Sequence, residues 1–266
     1  RTNNDSIKIL SDNIKNHNLN LGIIKNIIEK SKNIKFIDIK NMSMKNILEN
    51  IQTENINFKS LETQIISPIK MGDFGTNSIN KIFTNFKDNM NESIDDDIII
   101  ELENTLEKLM NREYADNDSD DVDINIINDD IDNNVSICKF KKGDKIIHLT
   151  NDVFYKNGDI RIVDNILEEN NKKLIACKNE YEHMKIGNVD HAYCLTVHKV
   201  QGSEFDNVIV IVPDINFVTK NLIYTAITRA KNKIYIVCRN MDTFLKLIQK
   251  ESPSRITILG ELLKKV

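Results

Sequence analysis

Thr196, His198, Lys199, Gln201, Gly202, Ser203 and Glu204 bring hydroxyl, imidazole, ammonium, amide and carboxylate groups together in one short stretch. Such a set suits phosphate and ribose. Thr196 and His198 can donate to phosphate oxygens, Lys199 adds positive charge, and Gly202 lets a backbone N–H come close to a ligand. Glu204 can accept from a ribose hydroxyl or help order a phosphate site. A second centre is Arg229, in the run Thr-Ala-Ile-Thr-Arg-Ala-Lys, where the small residues Ala226 and Ala230 leave the guanidinium to project. An arginine presented in this way can neutralise charge on a transferring phosphoryl group, an effect of roughly 10³ to 10⁵ in rate in nucleotide hydrolases. The same arginine at a helix end can instead satisfy the helix dipole. The residues leave both uses open.

Each polar segment runs into a short apolar, β-branched stretch, 208–212 and 234–237, of the kind that forms a buried strand. In an open parallel sheet the loops at the carboxyl ends of strands bind ligands, so both segments are expected along one working edge. The preceding chain supplies more of the same sheet. A helix over 6–15 is predicted from Ile7, Ile9, Leu10 and Ile14, and residues 35–39 alternate as a strand. Met44, Ile47, Leu48 and Ile51 mark an amphipathic helix, and 64–67 a strand. A loop with Pro68, Gly72 and Gly75 leads to a helix with an apolar stripe at Ile79, Ile82, Phe83 and Phe86. After residue 187 a strand at 192–195 and a helix at 242–249 continue the pattern, and 256–266 reads as a short helix or tail. Strands and helices in alternation specify an α/β domain with a parallel sheet.

Two segments break the alternation. Between Asp88 and Asp132 there are 17 acidic residues against two basic ones, and the rest of the chain carries a net charge of +11. A helix is expected at 98–110. Residues 112–134, rich in Asp and Asn, cannot bury enough apolar surface to offset ordering, so a mobile insertion is expected. The alternative is an autoinhibitory mimic of nucleic acid lying in a basic groove. Residues 135–187 then change to short strands and turns, with turn signals at Lys142-Gly143-Asp144 and Asn157-Gly158-Asp159, and read as a small inserted β-barrel. Its Lys139, Lys141, Lys142 and Lys145 suit either a phosphate backbone or a solubilised strand edge.

The chain has 266 residues, enough for two folding units, and no apolar run near the roughly 18 residues that cross a membrane. Beginning at Arg1, it is expected to be an excised piece of a longer polypeptide. Cys138, Cys177, Cys194 and Cys238 are scattered and read as reduced core thiols of an intracellular protein, with no metal set expected. No glycine precedes a lysine, and no Asp-Glu dipeptide occurs, so neither a phosphate-binding loop nor a magnesium-ordering pair is encoded in these residues. The chain is therefore expected to hold half of a nucleotide-hydrolysing site.

The motifs resemble those of superfamily 1 helicases, in the form found in RecD-like enzymes. Leu195 to Pro213 is similar to motif V, and Asn221 to Val237 to motif VI. Ser67 to Asn80 is similar to the P-x-x-x-G-x-x-G-x-x-x-L-N segment of the second motor domain, with Ile79 in place of Leu. Phe140 to Val163 resembles the SH3-like insert, and the opening residues resemble the segment after the arginine of motif IV, placed at Arg1. The resemblance implies a RecA-like parallel-sheet domain (1–87 and 188–266) carrying an acidic insertion (88–134) and an SH3-like β-barrel (135–187). By the same resemblance, Arg229 would be the arginine finger, Gly202, Glu204, Gln201 and Arg1 would contact ATP, and Thr196, His198, Lys199 and Lys70 would contact single-stranded DNA. ATP with Mg²⁺ would be completed by an N-terminal RecA-like domain of the same polypeptide, and movement would run 5′ to 3′. An RNA-directed helicase of the same superfamily and a non-catalytic module that keeps the motor fold remain the alternatives.

Overall fold

A stretch such as Val208 to Val212 has no polar face, so it is stable as a strand only where both sides of its sheet are covered. The computed structural model describes residues 5–16, 20–39, 42–84, 139–169, 172–178 and 182–251, and places this strand at the centre of a parallel sheet. In chain order the elements are α1 (Asp5–Lys15), α2 (Leu21–Lys30), β1 (Ile34–Asp38), α3 (Met44–Gln52), β2 (Thr63–Ser67) and α4 (Thr76–Thr84). There follow β3 (Lys145–His148), β4 (Ile160–Glu169), β5 (Lys172–Cys177), β6 (Met184–Lys185), β7 (Val189–His191) and β8 (Cys194–Thr196). Last come β9 (Phe205–Val212), α5 (Lys220–Ile227), β10 (Ala230–Cys238) and α6 (Met241–Leu247).

The first sheet has the order β1-β10-β9-β2-β8, with every pair parallel. Because side chains alternate along a strand, its two faces bury different residues. Val208, Val210, Val212, Ile234 and Ile236 pack with Ile7, Leu10 and Ile14 of α1, Ile24 and Ile28 of α2, Ile223 of α5 and Phe244 of α6. Ile209, Ile211, Tyr235 and Val237 pack with Ile47, Leu48 and Ile51 of α3 and Ile79 of α4. The α/β expectation is met as a sheet with helices on both faces. Ile9, which the sequence places in the α1 stripe, is instead exposed. Helix α2 was not expected, although Asn20 caps it by accepting from the Ile23 amide at 3.2 Å, and Ile24 and Ile28 share its buried face.

The second sheet, β6-β5-β4-β3-β7, is antiparallel. The Asn157-Gly158-Asp159 signal falls in the β3–β4 hairpin, where the Gly158 amide donates to the His148 carbonyl at 2.9 Å. Among the described residues, Lys142-Gly143-Asp144 joins no strand pair and instead leads into β3. The acidic stretch, the helix expected at 98–110, Cys138 and the closing residues 256–266 lie outside the described residues. Cys177, Cys194 and Cys238 are buried free thiols, and burial pushes Cys238 up to about 11. Among the described residues no helix is long and apolar enough to cross a membrane.

One expectation is overturned where the two sheets meet. Lys145 is neither on a solvated edge nor open to a phosphate backbone. All of β3 is buried, and the Lys145 ammonium donates to the carbonyls of Ser60 at 3.1 Å and Thr63 at 2.6 Å. Beside it the Tyr193 hydroxyl donates to Asp144 Oδ1 at 2.9 Å, and Phe83 stacks on the Tyr193 ring at 4.7 Å. Gln64 Nε2 donates to the carbonyls of Ala192 and Tyr193 at 3.1 and 3.2 Å. The connection from the antiparallel sheet into β8 is thus held by buried polar bonds rather than by apolar packing alone.

Candidate functional site

The first polar segment runs from one edge of the parallel sheet to the other, and the second meets it at the amino edge. Thr196 pairs with Ser67, one residue beyond the Ile66–Val210 pair, so it lies in the row of Ile211 near the carboxyl end of β9. Phe205 pairs with Ala230 at the amino end of β9 and β10. At ~3.3 Å per residue these rows are about 20 Å apart. Parallel strands need a crossover, and residues 197–204 make it, starting at the carboxyl edge and finishing at the amino edge. The expectation of a single working edge at the carboxyl ends is corrected accordingly: strand direction puts the start of the first segment at the carboxyl edge, and its end, together with Arg229, at the amino edge.

At the carboxyl edge, Thr196 ends β8 and its hydroxyl accepts from the Lys199 amide at 3.4 Å. Val197 and Val200 are buried in the core, which turns His198 and Lys199 outward into solvent. The neighbouring strand, β2, ends at Ser67, whose hydroxyl donates to the Phe74 carbonyl at 2.7 Å. The loop then folds over the start of α4, with the Thr76 and Asn77 amides donating to the carbonyls of Ile69 and Lys70, both at 3.0 Å. Gly75 is required by this fold, since a Cβ there would lie 2.4 Å from the Lys70 carbonyl oxygen. Lys70 is thereby held exposed beside the end of β8. Thr196, His198, Lys199 and Lys70 are brought to one edge.

At the amino edge, Gln201 to Glu204 lead into β9 and Arg229 leads into β10. The Arg229 Nη1 donates to the Ser203 carbonyl at 3.1 Å, Nε to the Thr225 carbonyl at 3.0 Å and Nη2 to the Thr228 hydroxyl at 3.1 Å. The Phe205 amide donates to the Arg229 carbonyl at 2.9 Å, so backbone and side chain both tie the two segments. The guanidinium is half-buried and bound to the last turn of α5, as the helix-end reading requires, yet each terminal nitrogen keeps a second N–H for another acceptor. Gly202 has φ +88° with open space beyond its Cα, a backbone that favours glycine and admits a close ligand. Gln201 and Glu204 are exposed beside it. These donors fit one flank of a phosphorylated nucleotide. Among the described residues no group of three His, Cys, Asp or Glu side chains could hold a metal ion. Arg1 lies outside the described residues.

Asn80, whose part is not evident from the sequence, is a positioning residue. Its Nδ2 donates to the carbonyls of His191 at 3.3 Å and Cys194 at 3.1 Å, while Oδ1 accepts from the Cys194 amide at 2.8 Å. These bonds complete the edge strand β8 and fix where Thr196 emerges. The signal was an amide residue closing a glycine-rich loop and the first turns of a helix. The Asp144 cluster was also missed. Burial would raise its carboxyl, but the approach of His191 at 3.4 Å and hydrogen bonds from the Lys141 amide and Tyr193 outweigh this and hold it below the usual range. Burial without a carboxylate partner pushes Lys145 down to about 7.

Residues 191–237, the stretch that spans both edges, match the family described as UvrD-like helicase C-terminal domain. An uncharacterized protein of Methanocaldococcus jannaschii is 45% identical over 76 residues, 27% of this chain and 6% of that protein. The RecBCD enzyme subunit RecD of Mycobacterium tuberculosis is 44% identical over 55 residues, 20% of this chain and 10% of that subunit. Among solved structures, the Bacteroides Pif1 helicase in complex with ADP-AlF3 and ssDNA aligns at a TM-score of 0.43 and 16% identity, over 99% of this chain and 55% of that one. The chain thus spans about half of that helicase, and the matched stretches are small parts of the two relatives. The family match over residues 191–237 and the RecD relatives support a RecD-like superfamily 1 helicase C-terminal region.

Proposed function

We propose that this chain is the second motor half of an ATP-dependent DNA helicase, with the nucleotide at the amino edge of its parallel sheet and single-stranded DNA at the carboxyl edge. The observation that carries this is the bond from Arg229 to the Ser203 carbonyl, which joins the arginine to the Gln201–Glu204 segment while leaving guanidinium N–H groups for a phosphate. Arg229 acts as the arginine finger, Gly202, Gln201 and Glu204 flank the nucleotide, and Arg1 adds a γ-phosphate contact. Thr196, His198, Lys199 and Lys70 hold the strand. The parallel sheet serves as a RecA-like domain and the antiparallel sheet as its SH3-like insert. ATP bound with Mg²⁺ supplies the phosphoryl group, and the metal ligands and phosphate loop come from an N-terminal RecA-like domain of the same polypeptide.

The segment from Thr196 to Glu204 joins the two sites through one crossover anchored by Val197 and Val200. The intact protein is expected to hydrolyse ATP faster with single-stranded DNA and to open duplexes bearing a 5′ tail in preference to a 3′ tail. The 266-residue chain by itself is expected not to hydrolyse ATP; strand-stimulated hydrolysis by it would refute the split site. Preference for RNA over matched DNA duplexes would replace the DNA reading.

A further inference from the structure

The carboxyl edge carries, besides its cations, two large apolar side chains turned to solvent: Met71 is 72% exposed and Phe217 is 52% exposed. Neither exposure comes from a loose loop. Phe217 sits in a turn closed by the Val218 amide on the Ile215 carbonyl at 3.2 Å, with Val218 buried next to it. The same turn is held from outside by the Lys250 ammonium on the Asn216 carbonyl. Met71 lies in the loop after β2, where Asn77 Nδ2 approaches its sulfur at 3.3 Å. The two loops follow β2 and β9, which are neighbours, and β8 lies on the other side of β2.

Along this edge the loops follow the strand order: the loop with His198 and Lys199, then the loop with Lys70 and Met71, then the loop with Phe217. Three adjacent strands span two spacings of about 4.8 Å. That is about the length of three stacked nucleotides at roughly 3.4 Å each. Arg239 adds a cation after β10, paired with Asp214 at 3.6 Å, and Asp73 lies in the loop after β2 and Asp38 at the end of β1. Cations that track phosphates beside an exposed aromatic face are the arrangement by which single strands are held without regard to sequence.

We propose that Phe217, with Met71 on the neighbouring loop, is a base-stacking face for single-stranded nucleic acid, so that this edge reads bases by their flat surfaces as well as phosphates by their charge. This rests on the reading of the carboxyl edge as the strand site. The test measures binding of the intact protein to a dT oligomer and to an abasic deoxyribose-phosphate oligomer of the same length, at several salt concentrations. Phe217→Ala is expected to weaken dT binding about tenfold while abasic binding and the salt slope stay unchanged. Phe217→Tyr is expected to restore it. An unchanged affinity for dT, or an equal loss on both oligomers, would overturn the stacking face. Lys70→Ala with Lys199→Ala is expected to weaken both oligomers alike and to flatten the salt dependence. If that pair changes neither oligomer, the strand site itself falls, and the stacking face with it.

Discussion

The Arg229 guanidinium donates to the Ser203 carbonyl at 3.1 Å, although 26 positions separate the two residues in sequence. The bond crosses between the lead-in to β9 and the lead-in to β10, which are paired strands. It gives the arginine a fixed anchor on the segment that also holds Gly202 and Glu204. A charge that must meet a phosphoryl group is best held before the ligand arrives, since little reorganisation is then needed at the moment of reaction.

Removing that guanidinium is expected to stop turnover. In the intact protein, Arg229→Ala should lower ATP hydrolysis by roughly 10³ or more, while binding to single-stranded DNA, at the other edge, stays close to the original. Arg229→Lys should not rescue, because an ammonium lacks the planar fork that serves Ser203, Thr225 and a phosphate together. Steady-state hydrolysis and strand-binding titrations check both points, and normal turnover in either variant would remove the finger assignment.

The buried Lys145 predicts how stability changes with pH. Its folded value is about 7, whereas in the unfolded chain it returns to about 10.4. Between those values the unfolded state binds a proton that the folded state lacks, so stability rises with pH, by up to about 1.4 kcal/mol per unit. Below the folded value both states are charged and this dependence disappears. Lys145→Met should flatten the rise, read from urea midpoints at about pH 6 and about pH 9.

Tyr193 and Asp144 predict a dependence of the same sign at the acid end. Asp144 is held below the usual carboxylate range, so its contribution is present above its unfolded value and lost as pH falls through the folded one. Tyr193→Phe removes the hydroxyl that donates at 2.9 Å and should cost about 1.5 to 3 kcal/mol at neutral pH. It should also move the onset of acid unfolding upward. Thermal melts across the acid range would show both effects, and an unchanged onset would mean that the other two donors suffice.

Two glycines of one loop should differ. Gly75→Ala forces a Cβ against the backbone carbonyls of Lys70 and Met71, at 2.4 and 2.5 Å, and the loop must shift. Gly72→Ala meets open space and carries only the strain of a positive φ, about 1 to 2 kcal/mol. Gly75→Ala should therefore destabilise more and also weaken strand binding by displacing Lys70. Denaturation midpoints together with strand affinity distinguish the two.

Much of the fold was legible because its signals are local. The continuous apolar runs of β9 and β10 can only be strands covered on both faces, and the spacing of Met44, Ile47, Leu48 and Ile51 can only bury one helix face. The residues of both candidate sites were legible as well, through their chemistry and the RecD-like motifs. Helix α2 was within reach of the sequence, since Asn20 and the Ile24–Ile28 spacing are ordinary helix signals. Lys145 was not, because a lysine two positions after Gly143 has the local pattern of a solvated strand edge. Its burial follows from β7 pairing with β3 and from the carbonyls of Ser60 and Thr63, more than eighty positions away.

By itself the sequence determined the strands of the parallel sheet, the candidate residues for phosphate chemistry, and that neither a phosphate loop nor an Asp-Glu pair lies among these residues. Only the tertiary structure decided where those candidates lie. Parallel pairing of β8, β2 and β9 sets the carboxyl end of one strand and the amino end of the next about 20 Å apart. The continuous run from Thr196 to Glu204 is thereby divided between two edges. Register is a property of strands paired across the whole chain, and no local pattern encodes it.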